Sequence, residues 1–207
     1  MTNIIARGAE AIIEHEGDKI IKKRIKKGYR ISEIDEKLRK LRTRQESRLL
    51  EKVFSVTRVP KVIKVDEKTK EVVMQFIEGK KLSQELNSFP LEKQKSILKN
   101  IGVEVAKFHD IDVIHGDLTT SNMILAKECG NDVVYFIDFG LGFKSSREED
   151  KAVDIHLLKQ ALEAKHYMNW QILFKEFLEG YKTSKTSEKV LKQLKKVEAR
   201  GRYKEQA

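Results

Sequence analysis

Two short motifs, His115–Asn122 (HGDLTTSN) and Asp138–Gly140 (DFG), constrain the fold of this chain more than any other feature. Between them, the apolar runs MILA and VVYFID flank the polar turn KECGND, which is typical of two short antiparallel strands. A hairpin returns the chain to its starting point, so we expect Asp117 and Asn122 to lie close to Asp138. The sequence therefore predicts two carboxylates and an amide at one end of a small hairpin.

Asp117, Asn122 and Asp138 are the kinds of side chain that phosphoryl transfer from a nucleotide requires. The reaction needs magnesium to neutralise the phosphates and a carboxylate to orient the acceptor. Asp117 matches the catalytic carboxylate of such loops, and the oxygens of Asn122 and Asp138 match magnesium ligands. A DFG tripeptide alone would indicate an ordinary turn after a strand. Its spacing from HGDLTTSN favours the catalytic interpretation.

The first 78 residues have the pattern of a β-rich unit with one helix. Apolar runs predict three strands within residues 3–27, and residues 60–79 predict a hairpin around the turn DEKTK. Together they indicate a sheet of about five strands. A long basic helix is predicted between them, beginning at a capping box of Ser32 and Asp35 and reaching about Phe54. Its predicted apolar stripe consists of Ile34, Leu38, Leu41, Leu49 and Val53.

After Gly79 the pattern is mainly helical. Pro90 suits the first turn of one helix, and apolar periodicity predicts three more helices over residues 150–164, 170–181 and 187–200. The helical pattern is expected to stop at Gly201. The sequence thus predicts an α+β fold with two lobes. These are a β-rich lobe over residues 1–78 and a reduced helical lobe over residues 79–207 that ends in a basic tail.

A phosphate-binding lysine and a glutamate that holds it are expected on a strand and on the helix that follows. Lys22 follows two strand isoleucines, and Glu46 lies beside the predicted buried face of the helix. Strand alternation places Lys22 and Arg24 on one face of the sheet and Lys23 on the other. The rivals to Lys22 are Lys23, Arg24, Lys26 and Lys27.

These motifs together resemble the protein kinase-like superfamily. HGDLTTSN, with KKGYR and RTRQESRLL, is similar to the small atypical kinase subunits of KEOPS complexes, and the likeness covers nearly the whole chain. It implies a minimal bilobal kinase fold, ATP and Mg²⁺ as cofactors, and an atypical serine/threonine kinase that works largely as an ATPase. The partners implied are the metalloprotein that installs threonylcarbamoyl on tRNA adenosine, other KEOPS subunits, and tRNA itself.

The resemblance also implies roles for individual residues. Lys22 and Glu46 would form the ion pair that, with Asp117, makes up the catalytic set, and Asn122 and Asp138 would hold the metal. The residues expected to bind the nucleotide are Gly8, Lys22, Met74, Gln75, Phe76, Ile77, Asn122 and Asp138.

Three features depart from an ordinary protein kinase, and a fourth, Asp154, agrees with one. Gly116 stands where the HRD motif has arginine, so no cation is present there to grip a phosphorylated activation loop. The phosphate-covering turn ARGAEA has one glycine and carries Glu10, an acidic residue without an assigned role. No APE motif appears between Gly140 and Asp154. Asp154 resembles the helix aspartate that braces the catalytic loop, and we expect a structural role for it.

Two other functions stay open at the level of the sequence. A small-molecule phosphotransferase of the aminoglycoside or choline kinase type also has HGD with a later asparagine, but only 53 residues follow Asp154. A non-catalytic nucleic-acid-binding scaffold would suit the net charge of +10. Against the scaffold, two acidic metal ligands would repel each other without a cation.

The composition restricts the covalent links, metal sites, location and partners that we expect for this chain. The single cysteine, Cys129, excludes an intrachain disulfide and a zinc site built on thiolates. No long uncharged apolar run is present, so we expect a cytoplasmic protein that does not contact a membrane. The lysines and arginines between Lys182 and Lys204 predict that the C-terminal tail contacts tRNA.

Overall fold

The computed structural model describes residues 3–8 and 10–202, and it begins with a five-stranded antiparallel sheet. The order of the strands across the sheet is β1-β2-β3-β5-β4, so the first three predicted strands join the predicted hairpin through β3 and β5. Strand β3 therefore lies at the centre, so Lys22 and Arg24 point from a strand that is paired on both sides. The strands are β1 (Asn3–Arg7), β2 (Ala11–Glu16), β3 (Lys19–Arg24), β4 (Val62–Asp66) and β5 (Glu71–Gln75).

The long helix α1 (Ser32–Phe54) has the predicted bounds, but the predicted capping box of Ser32 and Asp35 is wrong. Ile31 is the N-cap residue, and no side chain caps the helix. Asp35 is instead buried, where it accepts hydrogen bonds from the Lys27 N–H (3.2 Å) and from Arg39 Nε (2.6 Å). The carboxylate therefore ties the segment before the helix to α1 and does not cap the N-terminus of the helix.

The predicted apolar stripe of α1 holds only for its second half. Leu49 and Val53 are buried, whereas Ile34 and Leu41 are 51% and 57% exposed. The inward positions of the first half are polar, because buried Asp35 and its arginine partner occupy them. The first half of α1 is thus held by charge and the second half by apolar packing on β4 and β5.

The rest of the chain is built around a second, three-stranded sheet of order β6-β8-β9. Strands β8 and β9 form the predicted hairpin, with Met123 opposite Phe136 at its open end. A two-residue strand, β7, pairs with β10 beyond the DFG motif. The strands are β6 (Gly79–Lys81), β7 (Val113–Ile114), β8 (Met123–Glu128), β9 (Asn131–Phe136) and β10 (Phe143–Lys144).

Five helices accompany this sheet, and α3 packs against α5 while α4 packs against α6. The last helix continues through Arg202, so the expected end of the helix at Gly201 is wrong. The predicted basic stretch from Lys182 to Lys204 therefore lies mostly on α6, and residues 203–207 lie outside the described residues. The helices are α2 (Leu82–Glu85), α3 (Leu91–Asp110), α4 (Glu148–Lys165), α5 (Trp170–Tyr181) and α6 (Ser187–Arg202).

The apolar core is continuous from α1 to α6 and passes directly beneath the two sequence motifs. Phe108 of α3 contacts both Phe136, which precedes the DFG motif, and Phe139 within it. All three rings are fully buried. The chain at Asp138 is therefore anchored to the core by its neighbours in sequence.

The predicted α+β fold, with a β-rich N-terminal part that holds one long helix and a mainly helical C-terminal part, is confirmed, while the lobe boundary at residue 78 stays a prediction. Among the described residues, no helix is both long and apolar enough to cross a membrane.

Candidate active site

A cavity of about 460 Å³ lies between the five-stranded sheet and the β8–β9 hairpin. It is lined on one side by β2, β3 and the β1–β2 turn, and on the other by the two motifs. Every residue that the sequence assigned to a site lies in its wall. These are Gly8, Lys22, Glu46, Met74, Gln75, Phe76, Ile77, Asp117, Asn122 and Asp138.

One end of the cavity is apolar and has a backbone edge. Met74 and Ile77 are buried there, with Ile20 and Ile124 also in the wall. The Phe76 N–H donates to the carbonyl of Asp18 (2.8 Å). Within residues 3–8 and 10–202, the Ile77 N–H meets no acceptor. A flat heteroaromatic ring could pack between these side chains and accept that hydrogen bond.

The opposite end of the cavity is charged. Lys22 Nζ donates to Glu46 Oε1 and to Asp138 Oδ1, both at 2.6 Å. Burial alone would lower the pKa of Lys22, but Glu46 and Asp138 outweigh it and the net pKa is raised. The lysine is therefore a fixed cation shared between α1 and the DFG motif.

The structure distinguishes Lys22 from its nearest rivals. Lys23 points to the other face of the sheet, where it pairs with Glu14 at 2.9 Å. Arg24 points the same way as Lys22, and its Nη2 lies 2.5 Å from Glu46 Oε2. Each oxygen of Glu46 therefore has its own cation. Sequence reasoning named Arg24 only as a rival, although strand alternation already placed it on the right face.

Asp138 has a backbone conformation that is rare outside glycine, with φ of +64°. This turn directs its carboxylate back to the Gly140 N–H at 3.1 Å and to Lys22. Burial alone would raise the pKa of Asp138, but Lys22 outweighs it and lowers the pKa. A Cβ on Gly140 would lie 2.8 Å from Asp138 Oδ1, so a larger residue there would displace the carboxylate.

The predicted catalytic loop, residues 115–122, holds the side chains of Asp117 and Asn122 against each other. Asn122 Nδ2 donates to Asp117 Oδ2 (2.7 Å) and to the Asp117 carbonyl (3.0 Å). In the described part of the chain, the Asn122 side-chain oxygen has no hydrogen-bond donor of its own. The amide is thus oriented so that its oxygen is available to a hard cation.

Asp154 of α4 braces this loop, as the sequence predicted. Its carboxylate accepts hydrogen bonds from the His115 N–H (2.8 Å) and the Gly116 N–H (2.9 Å). His109 Nε2 also donates to it at 3.2 Å, and His109 Nδ1 accepts from the Tyr181 hydroxyl at 2.9 Å. Burial lowers the pKa of His109, so the ring is neutral and one tautomer satisfies both contacts.

A second buried histidine holds the middle of the catalytic loop. His166 Nε2 accepts from the Thr120 hydroxyl (3.1 Å), and its Nδ1 donates to the side-chain oxygen of Asn87 (2.6 Å). Burial lowers the pKa of His166 to about 4. Sequence reasoning missed both His109 and His166. Their only signal was a polar residue at the edge of an apolar helical stripe, which ordinary core histidines share.

There is also a steric reason why position 116 holds glycine and not arginine. Its φ is +79°, and a Cβ there would lie 2.3 Å from the carbonyl oxygen of Leu141. No side chain fits at this position without a backbone shift. The backbone after the DFG motif therefore leaves no room at position 116 for an arginine that could bind a phosphorylated residue.

The site fits a metal only if a ligand brings further oxygens. Among the described residues, no group of three His, Cys, Asp or Glu side chains is arranged to hold a metal ion. Asn122 and Asp138 offer one amide oxygen and one carboxylate. Magnesium is commonly held by one or two protein groups together with the phosphates of a substrate.

Comparisons with known proteins agree with this geometry. A family model described as the RIO domain matches residues 14–153. The KEOPS complex subunit Bud32 of Pyrococcus abyssi is 41% identical, and the match covers 98% of this chain and 92% of that protein. A probable bifunctional tRNA threonylcarbamoyladenosine biosynthesis protein of Methanobrevibacter smithii is 42% identical. That match covers 97% of this chain but only 37% of the relative, so the chain spans little more than a third of it.

Solved structures show the same fold. The Rio2 kinase of Chaetomium thermophilum, crystallised as an ADP/Mg²⁺-phosphoaspartate complex, matches with a TM-score of 0.59 at 16% identity. The match covers 98% of this chain and 70% of that one.

Proposed function

Because the chain belongs to the RIO-domain family of atypical kinases, we propose that its cavity binds ATP with Mg²⁺ and transfers the terminal phosphoryl group. The observation that carries the proposal is the position of Lys22. Its Nζ lies 2.6 Å from both Glu46 and Asp138, at the end of the cavity that also holds Asp117 and Asn122. The adenine ring would occupy the apolar end, where Met74 and Ile77 are buried and the Ile77 N–H could donate to it.

In this proposal, each charged residue has one task. Asn122 and Asp138 would hold magnesium, which when bound supplies positive charge to the phosphates. Lys22 would turn from Asp138 toward the phosphates, while Glu46 keeps it in place. Arg24 would keep Glu46 neutralised during this change. Asp117 would orient the acceptor hydroxyl and receive its proton.

We infer that water or a serine of the protein itself is the main acceptor, so that the enzyme is largely an ATPase. Only three residues, 145–147, separate β10 from α4, which leaves little surface for a peptide substrate. The missing arginine at Gly116 also removes the usual way of ordering an activation loop by phosphorylation.

The relatives support a role in tRNA modification. One is named as a KEOPS complex subunit, and another as a bifunctional threonylcarbamoyladenosine protein of which this chain corresponds to about a third. We propose that the chain is a KEOPS subunit that works with the tRNA-modifying subunit and supports N6-threonylcarbamoyl modification. The basic tail from Arg200 onward would contact tRNA phosphates.

The direct test is phosphate release from ATP by the purified chain, with Mg²⁺ or with EDTA. We expect Mg²⁺-dependent hydrolysis that changes in rate when the tRNA-modifying partner and tRNA are added. Absence of Mg²⁺-dependent hydrolysis under both conditions would contradict the proposal. Faster phosphorylation of a peptide library would overturn the ATPase assignment, and phosphorylation of an aminoglycoside or choline would favour a small-molecule kinase.

The tRNA contact has a separate test. A variant that lacks residues 200–207 loses three cations and one glutamate beyond the last apolar position of α6. We expect weaker tRNA binding, with the slope of log affinity against log salt shallower by about 0.7 to 0.9 for each lost phosphate contact. Hydrolysis by the isolated chain should stay unchanged. An unchanged salt slope would move the contact to the basic helix around Arg39 and Arg48 or to a partner.

A further inference from the structure

The turn between β1 and β2 carries Glu10, an acidic residue where nucleotide phosphates would lie. Its carboxylate accepts a hydrogen bond from Arg42 Nη1 at 2.7 Å and a longer one from Arg30 Nη2 at 3.4 Å. Its backbone carbonyl accepts from the Ile25 N–H at 3.3 Å. Glu10 therefore ties the turn to α1 through its side chain and to the end of β3 through its backbone.

The pair of Glu10 and Arg42 lies at the charged end of the cavity. Both residues line it, as do Lys22 and Asp138. The two side chains are 40% and 30% exposed, so they can be reached by solvent and by a bound polyanion. The carbonyl of Arg42 also lies 3.5 Å from Arg24 Nη2, which binds Glu46. The turn is thus connected to the same part of α1 that holds Lys22.

A carboxylate at this position presents an electrostatic problem for a site that binds polyphosphates. Burial alone would raise the pKa of Glu10, but Arg42 and Arg30 outweigh it and the pKa is lowered. The group is therefore ionised at neutral pH, and it would repel phosphates if its charge were not compensated. Arg42 supplies the shortest compensating contact.

We propose that the Glu10–Arg42 pair is a charge latch, which holds the phosphate-covering turn against α1 and cancels the charge of the turn. The inference deepens the proposed function and rests on it. Arg42 is then a residue that determines affinity for the phosphates and leaves the nucleoside end of the site unaffected. Glu10 in turn keeps Arg42 from binding the phosphates directly.

The test measures dissociation constants of adenosine, ADP and ATP, the nucleotides with Mg²⁺, by calorimetry on the full chain. Arg42→Gln leaves Glu10 with only its longer contact to Arg30, so ATP should bind about threefold to tenfold more weakly. Glu10→Gln frees Arg42 to face the phosphates, so ATP should bind about threefold more tightly. The double variant should return close to wild type, and adenosine affinity should not change in any of them.

Arg44→Gln is the matched control. Arg44 lies on the same helix and pairs with Glu67 at 2.6 Å, but neither residue lines the cavity. It should leave ATP affinity unchanged. Arg42→Lys, which keeps the charge, should bind ATP within about twofold of wild type. This variant also covers the case in which Arg42→Gln does not fold, as judged by thermal melting.

The outcomes separate the latch from the proposed function. If wild-type protein binds adenosine no more weakly than ATP with Mg²⁺, the proposed function itself fails. If wild type binds ATP but Glu10→Gln fails to tighten ATP binding, or the double variant binds ATP as weakly as Arg42→Gln does, the latch is wrong. Equal losses for adenosine and ATP would also contradict it, because they would indicate a purely structural contact.

Discussion

Two regions support the candidate active site, and they do so by different physical means. The ionic cluster, formed by Lys22, Arg24, Glu46 and Asp138, uses opposite charges at the edge of the cavity. The loop brace uses buried hydrogen bonds beneath the catalytic loop. The loop brace consists of Asp154, His109 and Tyr181, together with His166, Thr120 and Asn87.

The difference in burial indicates which region can move. The side chain of Asp138 is 49% exposed, and Lys22 divides its contacts between two carboxylates. The contact between Lys22 and Asp138 can therefore be exchanged for phosphates and a metal, whereas the buried pairs of Glu46 with Lys22 and Arg24 are kept. In the loop brace, Asp154 and both histidines are almost completely buried, so a broken hydrogen bond there has no water to replace it. We expect the Lys22–Asp138 contact of the cluster to rearrange when nucleotide binds, and the brace to stay fixed.

The largest effect on ATP turnover should come from replacing Asp117, the carboxylate that both regions hold in position. Asp117→Asn keeps the size of the side chain and an acceptor for Asn122, but removes the base. We expect turnover of ATP to fall about 10²- to 10⁴-fold, with nucleotide affinity unchanged within about twofold. Phosphate release and calorimetry on the same samples check this. A variant with near wild-type turnover would remove Asp117 from the catalytic role.

Breaking the loop brace should reduce both stability and activity. Asp154→Ala leaves the buried N–H groups of His115 and Gly116 without an acceptor, and His109 without its partner. We expect the free energy of unfolding in urea to fall by about 3 to 5 kcal/mol, with turnover falling in the fraction that remains folded. A folded variant of wild-type stability would show that the brace does not fix the loop.

Breaking the ionic cluster should instead separate stability from activity. Glu46→Ala leaves Arg24 buried without a carboxylate, and we expect a loss of about 2 to 4 kcal/mol in the free energy of unfolding. Lys22→Ala leaves Glu46 paired with Arg24, so turnover should fall while stability changes little. The turnover losses of the two single variants should not add in the double variant. Equal losses of stability for both single variants would contradict the role given to Arg24.

The loop brace also predicts a dependence on pH that the cluster does not share. The pKa of His166 is about 4 in the folded protein, against about 6.5 for an ordinary histidine. The unfolded chain therefore binds the extra proton first, and stability should fall as pH decreases from about 6.5 to about 4. Above this window the stabilising contribution is complete.

This contribution can be isolated with His166→Gln. Urea unfolding at several pH values should show wild type losing up to about 3 kcal/mol more than the variant between pH 7 and pH 4. The lowered pKa of His109 acts in the same direction and is present in both proteins. Parallel curves for the two proteins would show that His166 is not held neutral by the fold.

The motif spacing allowed much of the fold and site to be predicted. The hairpin between Asn122 and Asp138 follows from two short apolar runs and a polar turn, which are local signals. The positions of Lys22 and Arg24 on one face of β3 follow from strand alternation. What alternation could not show is that both cations reach Glu46, since this depends on how far α1 lies from the sheet.

The failures have a common physical cause. Ile34 and Leu41 follow a helical apolar pattern, but the first half of α1 is held by Asp35 and arginines rather than by the core. His109 was missed because its partner Asp154 is 45 residues away and the histidine looks like an ordinary core residue by itself. Contacts between polar groups distant in sequence have no periodic signal.

The most direct test of the account is how Mg²⁺ changes ATP affinity, because Asp138 is placed as a metal ligand only when phosphates are present. Calorimetry with ATP in Mg²⁺ or EDTA should show at least about tenfold tighter binding with Mg²⁺ for wild type. Asp132→Asn, an exchange at a carboxylate outside the cavity, should behave like wild type. Asp138→Asn should lose the Mg²⁺ effect and still bind adenosine. A folded Asp138→Asn variant that keeps the full Mg²⁺ effect would contradict the account.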